Sequence, residues 1–130
     1  MRNIFFNGTL EGRAAARAMR DRLPPGWSVE LRSESGEPVL SLQAPDGRAA
    51  ELAVVARRRV LPRDVPNLLR QATGRAQRLL LVGPFLSPRS RDLLIEANAS
   101  YADATGNLRV VIDEPAVFLE ARGAERDPDR

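Results

Sequence analysis

The chain has 130 residues, with 20 Lys and Arg against 17 Asp and Glu for a formal net charge of +3, and 43% of its residues are hydrophobic. All 20 basic residues are Arg, and Cys and His are absent, which excludes disulfides, thiol nucleophiles, Cys or His metal sites, Schiff-base lysines and Walker-type phosphate loops. No apolar run approaches the ~20 residues of a membrane span, and the opening MRNIFFNGTLEG is too poor in apolar residues for a signal peptide, so a cytoplasmic protein without membrane contact is expected.

Thr9 is the expected N-cap of a helix over residues 10–23, with Ala15, Ala18, Met19 and Leu23 on one stripe and Arg13, Arg17 and Arg20 on another face. The PPG stretch at residues 24–26 stops it. Residues 27–33 (WSVELRS) and 39–44 (VLSLQA) alternate with period two and are joined through the turn ESGEP. The turn PDG at residues 45–47 leads into AAELAVVARRR, residues 49–59, as a third strand, so the three strands form an antiparallel meander. A second helix starts at Arg63 or Asp64, carries Val65, Leu68, Leu69 and Ala72, and ends at Gly74. RLLLVGPF, residues 78–85, predicts a strand covered on both faces. Ser87 caps and Pro88 opens a third helix with Leu93, Leu94 and Ala97 facing inward. YADATGN, residues 101–107, reads as a glycine-based turn, and LRVVID and AVFLEA as two final strands. The order α-β-β-β-α-β-α-β-β predicts an α/β fold, a mixed sheet flanked by helices, in a single domain over residues 1–121. RGAERDPDR, residues 122–130, is charged and apolar-poor and is expected to be a disordered tail.

A helix, a three-strand meander, a helix and a buried strand together resemble the core of the restriction-endonuclease-like, or PD-(D/E)XK, fold. The stretch LLLVGPFLSPRSRDLLIEANASYADATGN resembles a segment of the nuclease-fold N-terminal domains of bacterial winged-helix transcription regulators, and of antitoxins of abortive-infection systems. That segment carries a hydrophobic strand, P-[FY]-L-S-P-R-[ST]-R, a helix and Y-x-D-x-T-G-N, which fall here on Pro84 to Arg91 and Tyr101 to Asn107. The resemblance covers about residues 10–127. It implies a winged-helix domain following the nuclease-like one, and no such pattern occurs within these 130 residues. It also implies an acid-x-Lys triplet on the third strand, whose carboxylates bind Mg²⁺. Val55–Ala56–Arg57 stands in that place. Val55 cannot hold a metal, and Arg57 keeps the charge but cannot act as a base at neutral pH. The expectation is a degenerate site with no metal and no cofactor. The enzyme alternative is a Mg²⁺-dependent DNase using Asp46, Glu51 and Arg57, with Glu30 or Asp64 as a migrated acid.

Two sets of residues stand out for binding. Arg57 and Arg59 share one side at the end of the third strand while Arg58 points away, and with Arg63 they concentrate charge there; Arg89 and Arg91 flank a helix N-terminus suited to phosphate. On one reading these five contact a DNA backbone, with salt-dependent affinity and little sequence preference. On the other they are solvated strand and helix ends. Tyr101, Asp103, Thr105 and Asn107 are either a polar site at strand ends or a turn in which Gly106 supplies a positive φ and Asp103 or Asn107 caps the backbone. Trp27, Phe85 and Tyr101 read as core, because the aromatics do not interleave with the arginines as in a single-strand binder. The chain thus reads as a DNA-associated regulatory domain. A third alternative is an oligomerisation module in which the hairpin LRVVIDEPAVFLE pairs with a second copy in a homodimer.

Overall fold

The computed structural model describes residues 9–34, 36–72 and 78–129. The cap expected of the Thr9 side chain, the inward face expected of Ala72 and the helix stop expected at Gly74 lie outside the described residues. Helix α1 (Thr9–Arg22) is followed by the antiparallel meander β1 (Ser28–Glu34), β2 (Glu37–Gln43) and β3 (Ala49–Ala56), in which Leu31 sits opposite Leu40 and Leu40 opposite Leu52. A 3₁₀ turn (Pro62–Asp64) and α2 (Val65–Ala72) cross over to β4 (Arg78–Gly83), and α3 (Pro88–Glu96) crosses over to β5 (Ser100–Asp103). Strands β3, β4 and β5 are parallel neighbours, as crossovers of this length permit. Strands β6 (Leu108–Ile112) and β7 (Val117–Ala121) return antiparallel. The fold is therefore α/β, with a seven-stranded mixed sheet in the order β1-β2-β3-β4-β5-β6-β7.

Two apolar layers hold it. Ala15, Ala16 and Met19 of α1 cover one face in a cluster that reaches from Val29 of β1 to Val117 of β7. Val65 and Leu68 of α2 and Leu94 of α3 cover the other, over Leu81 and Tyr101. The alternation of β4 makes this possible: Leu80 and Val82 face α1 while Leu81 faces α2 and α3. Both faces of β4 are thus covered, as its continuous apolar run predicts. No helix among the described residues is long and apolar enough to cross a membrane.

The structure departs from the sequence reading at four places. Ser100–Asp103 forms β5, inside the sheet, where only a turn was expected; at four residues without a β-branched side chain, it carries no strand signature of its own. Strand β3 ends at Ala56, so the arginine run does not alternate faces along a strand, and Arg57, Arg58 and Arg59 are all exposed beyond its end. Helix α3 ends at Glu96 and buries Ser90, Arg91 and Leu94, leaving Ala97 exposed and Leu93 half-buried. Residues 122–129, expected to be disordered, are described, and the backbone of Gly123 and Ala124 is hydrogen-bonded to Asn107 and Thr105.

Candidate functional site

Because β3, β4 and β5 run parallel, their carboxyl ends share one edge of the sheet. Backbone hydrogen bonds tie the three ends together: the Arg57 amide donates to Val82 O at 3.0 Å, and the Ala104 amide donates to Gly83 O at 3.1 Å. Beyond that edge lies a cavity of about 810 Å³ whose walls include Arg58, Arg59, Phe85 and Ser87. Ser87 caps α3, its Oγ accepting from the Ser90 amide at 3.2 Å, so a helix N-terminus with its partial positive charge borders the cavity. Arg57, Arg59, Arg63 and Arg89 are all exposed around this end of the sheet. Asp127 and Asp129 reach the same cavity from the C-terminal segment and offset part of its charge.

Arg91 differs from the other four arginines. It is 9% exposed, and its Nε donates to Leu86 O at 3.0 Å. Its position in the first turn of α3, three residues before fully buried Leu94, puts it on the inner side of the helix. The expectation of two exposed arginines in SPRSR is corrected for Arg91, which serves the loop before α3 and cannot reach a duplex surface.

The Tyr101–Asn107 motif closes on itself. Asp103, 8% exposed, accepts from the amides of Leu86 (2.9 Å), Thr105 (2.9 Å) and Asn107 (3.2 Å), from Thr105 Oγ1 (2.7 Å) and from Asn107 Nδ2 (2.8 Å). Asn107 Oδ1 accepts from the Gly123 amide at 2.7 Å, and its Nδ2 donates to Ala124 O at 3.0 Å. Gly106 turns the chain at φ 108°, a conformation glycine adopts freely. Gly123 must be glycine for another reason, since a Cβ there would stand 2.3 Å from Thr105 O. Asp103, Thr105 and Asn107 thus join the β4–α3 loop, the β5–β6 turn and the C-terminal segment. Their polar atoms are engaged with one another, which favours the turn reading over a ligand site. Tyr101 points into the α2–α3 side of the core, and burial raises its phenol above the ordinary range, with Arg91 acting in the opposite sense.

The residues of the nuclease alternative are not brought together. Six residues of extended strand, about 20 Å, separate Glu51 near the start of β3 from Arg57 at its end. Glu51 is paired with Arg32 of β1, in the same meander. Asp46 binds the Arg48 amide at 3.0 Å and the Arg48 side chain at 2.8 Å, and Arg48 reaches Glu114 at 2.6 Å. The amide hydrogen bond from Arg48 is the main reason the Asp46 carboxyl lies below its usual range, and Glu114 followed by Asp46 raises Arg48. Asp64 accepts from the Leu61 amide at 2.9 Å and caps the 3₁₀ turn. Among the described residues there is no group of three or more Asp or Glu that could hold a metal ion. Val55 and these engaged carboxylates do not fit a Mg²⁺ centre.

No family model, no curated protein and no solved structure matches the chain.

Proposed function

We propose that the protein is a non-catalytic, nuclease-like domain of a cytoplasmic, DNA-associated regulator that grips the phosphate backbone through Arg57, Arg59, Arg63 and Arg89. The observation that carries this reading is the set of exposed guanidinium groups around the carboxyl ends of the parallel strands, next to the capped start of α3. Arginine suits the task, since its planar fork matches phosphate oxygens and stays charged at any physiological pH. The element order α-β-β-β-α-β at the front of the chain supports the nuclease-like part of the reading.

The test is fluorescence anisotropy of a labelled duplex titrated with the chain across salt concentrations. Four neutralised phosphates give a log–log slope of about −3.6. Reversing charge with Arg57→Glu and Arg59→Glu together is expected to halve that slope and weaken binding at least tenfold at low salt. The reading fails if the double variant binds as the parent does.

A second reading, self-association, has one observation behind it. Strand β7 is an edge of the sheet and turns Phe118 outward at 60% exposure, with the Arg109 guanidinium 5.5 Å above its ring. An open edge of this kind pairs with a second copy of itself.

A further inference from the structure

Among the described residues, Arg91 Nη2 is the one buried side-chain polar atom without a hydrogen-bond partner. A buried guanidinium nitrogen without a hydrogen-bond partner is unfavourable, and native proteins leave few such groups without a reason. Arg91 lines a half-open cavity of about 210 Å³ bordered by α3, β5, β7 and the segment after β7. Tyr101 stands beside it, 4% exposed, and feels both Arg91 and Glu120 electrostatically. Tyr101 lines the same cavity, and its side chain carries a hydroxyl donor.

The charge of the walls narrows the ligand. Arg91 and Arg122 face three acids, Asp92, Glu120 and Glu125. A phosphate or a dicarboxylate would meet more negative charge than positive. A ligand carrying one carboxylate and one ammonium would answer both. The volume is below the ~300–1,000 Å³ of pockets for drug-sized ligands, which limits the guest to amino-acid size. Ile95 supplies an apolar wall.

We propose that this cavity binds a free aliphatic α-amino acid, its carboxylate on the Arg91 guanidinium and the Tyr101 hydroxyl, its ammonium against Glu120 and Glu125, and its side chain along Ile95. The carboxylate gives the Arg91 guanidinium, which lines the cavity, a charge-assisted partner. This cavity shares no lining residue with the arginine-rich one, so the proposal stands or falls independently of DNA binding.

The test uses the whole chain and three probes, L-leucine, N-acetyl-L-leucine and L-leucine methyl ester, in isothermal titration calorimetry and thermal unfolding. Leucine is expected to bind saturably and raise Tm. The two capped forms, each missing one charge, are expected to bind at least about tenfold more weakly. Glu120→Gln, on the exposed side of an edge strand, is expected to weaken leucine about fivefold without loss of folding. Arg91→Met is expected to abolish binding; should that variant fail to fold, Glu120→Gln still decides. Absence of binding by leucine at millimolar concentration overturns the proposal, as does equal binding of N-acetyl-L-leucine or an unchanged affinity in Glu120→Gln.

Discussion

Asp103 accepts five hydrogen bonds while 8% exposed. Asparagine has nearly the same shape but only one acceptor oxygen, and its amide would face donors. Each buried donor left unsatisfied costs roughly 1–3 kcal/mol. Asp103→Asn is therefore expected to destabilise the chain by about 2–4 kcal/mol, read as a lower urea midpoint at unchanged slope. An unchanged midpoint would mean that the hydrogen bonds at Asp103 contribute nothing to stability. Sequence reasoning picked out Asp103, Thr105 and Asn107 as one motif but left it open between turn and ligand site. The deciding partners lie far along the chain: Leu86 is 17 residues from Asp103, and Gly123 is 16 from Asn107. Local pattern has no access to them. Arg91 escaped for a related reason, since its burial follows from how α3 is rotated against the sheet.

At the scale of elements, the segment after β7 behaves as a strap. Gly123 and Ala124 make three hydrogen bonds to Asn107 and Thr105, through Gly123 N, Ala124 N and Ala124 O. A chain ending at Ala121 loses all three and opens Asn107 to water. The expected cost is about 2–3 kcal/mol, near 1 kcal/mol for each bond once water replaces it. A chain ending at Glu125 keeps them and is expected to match the full chain. Thermal unfolding of the two truncations separates these outcomes, and equal Tm values would show that the strap adds no stability. Composition alone pointed to disorder here, because a charged, apolar-poor stretch has no core residue to bury. What holds it is backbone hydrogen bonding to side chains elsewhere. Strand β5 was missed on the same principle. Its Ser, Tyr, Ala and Asp are strand residues by virtue of lying beside β4, with Leu81 opposite Tyr101.

For the whole molecule, the sheet has two ends, β1 and β7, and seven strands in simple sequential order. If β7 pairs with its counterpart, light scattering at high concentration gives a dimer mass, and Phe118→Asp returns it to the monomer. A monomer mass for the parent chain sinks the self-association reading. The same sheet fixes where chemistry can gather. Parallel β3, β4 and β5 collect Arg57, Ser87 and Asp103 at one edge, and send Asp46 and Glu51 toward the opposite one. The separation of Glu51 from Arg57 follows from six residues of spacing along one extended strand, which the sequence already displays.

The sequence by itself determined the chemistry available: no thiol, imidazole or lysine amine, and arginine as the sole cation. It also determined the α/β class, the antiparallel meander, the doubly covered β4 and the Ser87 cap, because hydrophobic period and turn residues are local signals. Only the tertiary structure decided which charged groups are free. It buried Arg91, left Arg57, Arg59, Arg63 and Arg89 exposed, and locked Asp103 into a junction of three segments. Those outcomes depend on contacts between residues distant in the chain and on how each helix is rotated over the sheet, and neither is encoded in any short stretch of sequence.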